Sequence, residues 1–153
     1  MERQSKNEKL LQYFKDICRI PRQTGDEEAI SQYLLDFAKA RGLQAERDAH
    51  HNVLIRKPST IPGYKGPTVI VQGHMDIVYE KSADSTHKYE DGIHVVEEDG
   101  YLKSADGTSL GADNGLAVAY AMDLLDRNDL PLPALRGKIE ARREDAALSA
   151  ELS

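Results

Sequence analysis

The sequence predicts a mixed α/β domain in which helices pack on a sheet. Three observations support this fold class: an amphipathic helical pattern near the N-terminus, short apolar runs in the middle of the chain, and an almost wholly apolar helix over Leu116–Leu125. The length of 153 residues suits one ordinary globular domain. Helices that bury one face or all faces need a sheet or other helices to cover them, as in a layered α/β domain.

Two helices are predicted in the first part of the chain. Apolar residues at helical spacing place the first helix over Asn7–Arg19, and Pro21 ends it. The second helix is predicted to open at Thr24, whose hydroxyl would cap it while Glu27 reaches back in a capping box. Gly42 supplies the C-terminal break of that helix.

The middle of the chain is predicted to form strands. Asn52–Arg56 and Thr68–Val71 are short apolar runs, and the second lacks polar alternation after Thr68, which is typical of a strand covered on both faces. A hairpin is predicted from Ile93–Glu98 and Tyr101–Ser104, joined by a turn at Asp99-Gly100.

Composition excludes several classes of protein. The net charge of −6 argues against a general binder of nucleic-acid phosphates, which needs a basic face. The apolar stretches are shorter than the ~20 residues of a membrane span, and the N-terminus does not resemble a signal peptide. Cys18 is the single cysteine, so no disulfide framework is expected and a cytoplasmic location is predicted. Neither a nucleic acid nor a membrane is expected as a partner.

The last residues differ in character from the rest of the chain. We expect residues 1–135 to form the domain and residues 136–153 to form an atypical polar tail, because Arg136–Asp145 is basic and polar. This stretch reads at best as a solvated helix that buries little, so the sheet is expected to be left unfinished. A truncation or a shift of reading frame is one explanation of such a tail, and a natural ending is the other.

The first candidate site is His74-Met75-Asp76, directly after the predicted strand and Gly73. Residues two apart project from the same side of an extended chain, so Asp76 can hold the imidazole of His74 while the other ring nitrogen binds a metal. Ligands of α/β sheets gather at the carboxyl ends of strands, where this pair lies. The alternative is a histidine that is simply hydrogen-bonded to a neighbouring carboxylate.

The second candidate is the glycine-rich run Asp106–Gly115, which opens the apolar helix. Glycines at this density indicate an unusual backbone path. Asp113 within the run is either a metal ligand or a helix N-cap, a position that aspartate favours. Residues 106–115 considered alone leave both interpretations open.

Together these segments resemble the aminoacyl-histidine dipeptidases, a branch of the di-zinc metallopeptidases. The matching residues are Ile20-Pro21-Arg22 with the helix after it, residues 71–76, and the run 106–115. The resemblance covers about residues 7–132 and implies an incomplete zinc-peptidase catalytic domain, with a mixed sheet and helices packed on it.

The resemblance also implies roles for individual residues. His74 would bind one of two zinc ions, Asp76 would orient that histidine in a catalytic supporting role, and Asp113 would bridge both metals. Such enzymes commonly have a cis peptide after the bridging aspartate, here Asp113–Asn114. The metals would polarise the scissile carbonyl and lower the pKa of a shared water.

The sequence departs from the family after Asp113. The family has an apolar strand that ends in a Glu-Glu pair, in which one glutamate is the general base and the other is a zinc ligand. Glu144 in Glu144-Asp145 lies at a similar distance along the chain, so it is a candidate general base or ligand, but its neighbours are basic and polar. The later metal ligands and the lid domain of the family have no counterpart here.

The predicted function is therefore that of the N-terminal portion of a cytoplasmic di-zinc dipeptidase of the Xaa-His type, inactive as this isolated chain. Its substrate would be a short peptide, and a homodimer is expected only in a full-length form, because dimerisation in the family usually involves the lid domain. The alternatives are a tripeptidase or an N-acyl amino acid hydrolase, or a non-catalytic α/β domain in which Asp113 is a helix cap.

Overall fold

The computed structural model describes residues 2–143, with side chains from residue 7 onward. The helices are α1 (Glu2–Cys18), α2 (Glu28–Ala40) and α3 (Ala112–Asp126), with a short 3-10 helix at Tyr89–Asp91. The strands are β1 (Gln44–Arg47), β2 (Val53–Lys57), β3 (Val69–His74), β4 (Val95–Glu98), β5 (Tyr101–Ser104) and β6 (Leu135–Glu140). The predicted mixed α/β fold is confirmed.

The main sheet has four strands in the order β1-β2-β6-β3. Strand β2 is antiparallel to both β1 and β6, whereas β3 runs parallel to β6. The sheet is therefore mixed, as expected, and β3 forms one of its edges within the described residues. Strands β4 and β5 make a separate hairpin whose turn residues Asp99 and Gly100 both have positive φ, which matches the predicted turn.

The interpretation of residues 136–140 as part of a solvated helix is wrong. They belong to β6, which lies between β2 and β3, and Leu135, Gly137 and Ile139 are buried while Arg136 and Lys138 are half-buried. This alternation has the period of two that a strand requires, but the two cations and the glycine concealed it. Residues 144–153 lie outside the described residues, so the atypical polar tail stays a prediction for them.

One face of the main sheet carries the helices. A single apolar core combines residues of all three helices with Val53, Ile55 and Ile139 from the sheet, whereas Leu54 points to the opposite face. The helix α3 lies closest to β3, where Ala117 packs against the backbone of Gly73. This packing brings the beginning of α3 to the carboxyl end of β3.

The prediction that Thr68–Val71 is covered on both faces is wrong. Val69 is 43% exposed and Ile70 is 58% exposed, because β3 lies at an edge of the sheet that the described residues form and Ile70 points away from the helices.

Among the described residues, no helix is long and apolar enough to cross a membrane.

The predicted capping box of α2 is also wrong, although the helix is present. The helix begins at Glu28, and its N-cap residue Glu27 makes no side-chain capping bond. The carboxylate of Glu27 instead accepts hydrogen bonds from the amide of Gly25 at 2.6 Å and from Arg142 Nε at 2.9 Å. The Thr24 hydroxyl is directed to Asp76, as described below.

Candidate metal centre

His74 and Asp76 lie where the sequence predicts them, at the carboxyl end of β3. The Nδ1 atom of His74 is 2.9 Å from Asp76 Oδ1 and 3.2 Å from the carbonyl oxygen of Asp76. Both neighbours are hydrogen-bond acceptors, so Nδ1 is placed to donate a proton to them, and Nε2 lies on the far side of the ring from Asp76. Asp76 is 5% exposed, and its second carboxylate oxygen accepts a bond from Thr24 Oγ1 at 2.6 Å.

The backbone after β3 is held by β6. The amide of Met75 donates to the carbonyl of Glu140 at 2.8 Å, and the amide of Asp76 donates to that of Ala141 at 3.1 Å. These two bonds hold residues 75 and 76 beside the end of β6. His74 and Asp76 therefore project from the same side, as a metal-binding histidine and its orienting carboxylate require.

Asp113 faces His74 from the beginning of α3. Its Oδ1 atom lies 3.2 Å from His74 Nε2, although the two residues are 39 positions apart in the sequence. The Asp113 side chain is 85% exposed and that of His74 is 18% exposed. Asp113 and Asn114 have non-helical φ/ψ angles within the assigned bounds of α3, and the hydrogen-bond contact of the Asp113 carboxylate is with His74 rather than with a backbone amide of the helix. The helix-cap interpretation therefore gains no support, and the metal-ligand interpretation stays a prediction.

Asn114 links the beginning of α3 to the end of β3 by a hydrogen bond. Its Oδ1 atom accepts a hydrogen bond from the backbone amide of His74 at 3.1 Å. The peptide bond between Asp113 and Asn114 is cis, as the resemblance implied. The contact needs Gly73, because a Cβ atom there would lie only 2.7 Å from Asn114 Oδ1.

The His74–Asp113 geometry fits a metal ion. Both Nε2 of a neutral imidazole and a carboxylate oxygen are acceptors, so their approach to 3.2 Å calls for a cation or a proton between them. Two ligands on one tetrahedral zinc ion, at about 2.0–2.2 Å each, lie roughly 3.3–3.5 Å apart. The observed separation is close to that value.

The ligand set within the described residues is nevertheless small. Residues 7–143 contain no group of three or more His, Cys, Asp or Glu side chains that could hold a metal ion. Glu144, the candidate general base or ligand, lies outside the described residues. Any further ligand would have to come from outside the described part of the chain.

Sequence reasoning missed three residues that support this site. Arg22 donates to the carbonyls of Met75 and Gly111, Thr24 holds Asp76, and Asn114 holds the amide of His74. Arg22 was part of a matched motif, but the residues it contacts are 53 and 89 positions away, and no local pattern reveals such distances.

Comparisons with known proteins show that the chain is similar to dipeptidases. The cytosol non-specific dipeptidase of Escherichia coli (strain K12) is 37% identical to the chain over 141 residues, which are 90% of this chain and 29% of that protein. The structure of aminoacylhistidine dipeptidase from Vibrio alginolyticus matches with a TM-score of 0.83 at 31% identity, over 90% of this chain and 28% of that chain.

A tripeptidase from Staphylococcus aureus matches with a TM-score of 0.69 at 24% identity, over 95% of this chain and 39% of its own length, which shows the fold alone. No family model matches the chain. The predicted resemblance to dipeptidases is confirmed. The chain spans less than a third of the length of the two dipeptidases it matches.

Proposed function

We propose that this chain supplies one histidine ligand and the bridging carboxylate of a di-zinc dipeptidase centre. The observation that carries the proposal is the convergence of His74 Nε2 and Asp113 Oδ1 at 3.2 Å, with the other ring nitrogen held by Asp76. The similarity to two dipeptidases over 90% of the chain supports it. The reaction would be hydrolysis of a short peptide, of the Xaa-His type, in the cytosol.

Each of the three residues would have a distinct task. Asp76 keeps the proton on Nδ1 of His74, so that Nε2 remains a neutral ligand. Asp113 has one oxygen toward His74 and is largely exposed, which leaves its second oxygen free to reach another cation. When bound, the zinc ions would polarise the scissile carbonyl and acidify an attacking water.

A second interpretation follows from the same distances. A doubly protonated His74 would form ion pairs with Asp76 and Asp113 without any metal. The domain would then be non-catalytic, and zinc would not change its stability. A tripeptidase or an N-acyl amino acid hydrolase would use the same ligands, so a substrate panel separates these from a dipeptidase.

Zinc titration by calorimetry tests the proposal, with His74→Ala as the variant and His94→Ala as the matched control. His94 also pairs with a carboxylate, Asp106 Oδ2 at 2.8 Å, but lies in the hairpin region away from Asp113. We expect zinc binding by the wild type and by His94→Ala, and loss of binding in His74→Ala. A free zinc concentration of 100 times the Kd would raise the free energy of unfolding by about 2.7 kcal/mol. Equal binding by all three proteins, or by none, would contradict the proposal.

The isolated chain is expected to hydrolyse dipeptides negligibly. The described residues bring together two ligands, which can hold one zinc ion, whereas the dinuclear centre that the reaction needs requires a full ligand set. The assay measures release of histidine from an Xaa-His dipeptide with added zinc. Zinc-dependent turnover that disappears in His74→Ala would show that the chain completes a working centre.

A further inference from the structure

Arg22 is a buried arginine between the two segments that carry the candidate ligands. It is 1% exposed, and its Nη1 donates to the carbonyl of Met75 at 2.7 Å. Its Nη2 donates to the carbonyl of Gly111 at 3.1 Å. Met75 lies between His74 and Asp76, and Gly111 lies two residues before Asp113. One guanidinium group therefore spans both sides of the site.

The α3 side of the site is shaped around this guanidinium. A Cβ atom at Gly111 would lie 2.9 Å from Arg22 Nη2, and one at Gly115 would lie 2.5 Å from the same atom. Only glycine at both positions leaves room for the guanidinium to reach the turn. Two of the glycines that mark the run 106–115 in the sequence are thus explained by contact with Arg22.

The backbone around Arg22 is paired with the β3 side of the site. The amide of Ile77 donates to the carbonyl of Arg22 at 3.0 Å, and the amide of Thr24 donates to the carbonyl of Ile77 at 3.1 Å. Together with the Thr24 bond to Asp76, these contacts fix the segment 22–24 against residues 75–77. Arg22 therefore projects from a segment that is already attached to the His74 side.

We propose that Arg22 is a positioning residue that sets the distance between His74 and Asp113 and thereby the affinity of the site for a divalent cation. The part of the proposal that concerns affinity rests on the proposed function. Planar arginine suits this task, because its two terminal nitrogens can donate to two carbonyls in fixed directions. Lysine has a single ammonium group and cannot span them in the same way.

Arg22 is a buried cation whose removal would leave two carbonyl groups without a donor. No carboxylate lies within hydrogen-bond distance of Arg22 in the described residues, Nε has no hydrogen-bond partner, and burial lowers the pKa of the guanidinium. An arginine that served only to fill space would be replaced at little cost by an apolar side chain. Here such a replacement would leave two inward-facing carbonyls without a donor.

The test compares Arg22→Met and Arg22→Lys with the control Arg41→Met in the 153-residue chain. The Arg41 side chain is 28% exposed, and it donates to Asp126 at 2.6 Å and to the Phe37 carbonyl at 3.0 Å, near the opposite end of α3. Three quantities are measured: the free energy of unfolding in urea, the Kd for zinc, and the NMR signal of the His74 Nδ1 proton in the metal-free chain. The proton signal reports the His74–Asp76 bond whether or not zinc binds.

We expect Arg22→Met to weaken zinc binding by about 10- to 100-fold, as removal of a supporting contact at a metal site does. The Nδ1 proton signal should also be lost by exchange with water. Arg22→Lys should weaken binding less, and Arg41→Met should lower stability without changing the Kd or the signal. A folded Arg22→Met protein with wild-type Kd and signal would refute the role of Arg22.

Two further outcomes remain decisive. If Arg22→Met does not fold, Arg22→Lys replaces it, and wild-type Kd and signal in that variant would refute the proposal. If the wild type binds no zinc, the proposed function fails. The positioning role is then judged by the proton signal: its loss in Arg22→Met supports the role and its retention overturns it.

Discussion

Gly73→Ala would place a methyl group at the junction between β3 and α3. An ideal Cβ atom at this position lies 2.7 Å from Asn114 Oδ1 and 3.1 Å from the Cβ atom of Ala117. Asn114 Oδ1 accepts the amide hydrogen of His74, so the methyl group competes directly with that hydrogen bond. The substitution thus acts on the contact that ties the two sides of the site together.

The expected loss of stability follows from three contributions. Overpacking a close-packed junction costs about 1–3 kcal/mol. Loss of the bond from the His74 amide to Asn114 adds about 0.5–1.5 kcal/mol. Replacing glycine restricts the unfolded chain and offsets about 0.4–1 kcal/mol of this. The free energy of unfolding should therefore fall by about 0.5–4 kcal/mol, with a central value of about 2 kcal/mol, and the affinity for zinc should weaken.

Gly137→Ala is the matched control. Gly137 lies on the neighbouring strand opposite Val71 and faces the same helix. Its ideal Cβ atom would lie 2.9 Å from Leu125 Cδ1, the far end of a side chain that can rotate away. Urea denaturation should show a change within about 1 kcal/mol for Gly137→Ala, with zinc affinity unchanged. An equal loss in both variants, or no loss in Gly73→Ala, would refute the steric reasoning.

Three further outcomes are expected. Lys57→Met should raise stability at neutral pH, because burial lowers the pKa of the Lys57 ammonium group, whose hydrogen bond is to the neutral Asn128. The gain in stability should shrink as pH approaches 10.5, where the unfolded lysine also loses its proton. Urea denaturation at several pH values checks this. Burial, and to a smaller extent the hydrogen bond to Asp26, raises the pKa of Tyr89 to about 12. Its contribution to stability should therefore be full below about pH 10 and decline towards pH 12. Ultraviolet titration, and denaturation of the wild type and Tyr89→Phe at several pH values, test whether stability falls over this range. Asp76→Asn should weaken zinc binding by about 10- to 100-fold while the chain stays folded, and calorimetry with an unchanged Kd would contradict the orienting role.

The parts of the fold that were predicted from sequence have local causes. The hairpin followed from a dipeptide whose two residues both adopt positive φ, and α3 followed from its apolar composition. The cap of α2 was wrong because both of its residues have partners distant in sequence, Asp76 for Thr24 and Arg142 for Glu27. A local motif competes with such contacts, and tertiary structure decides which bond forms.

Strand β6 shows a different reason for error. The sequence Leu135-Arg136-Gly137-Lys138-Ile139 has the period of a strand with one covered face, yet cations at every second position suggest full solvation. Arg136 and Lys138 lie on the face that the helices do not cover, where charged groups on long side chains can reach water. The strand therefore forms at the centre of the sheet in spite of its composition.

The proximity of His74 and Asp113 has a simple cause, because the two residues lie at the ends of elements that pack together. His74 ends β3 and Asp113 begins α3, and Gly73 against Ala117 holds these elements in contact. A sequence can show that each residue ends an element, but not the separation between them. That separation is fixed by groups with no local signal, above all Arg22. We therefore expect affinity for a cation to depend as strongly on Arg22, which cannot bind the cation itself, as on the orienting carboxylate.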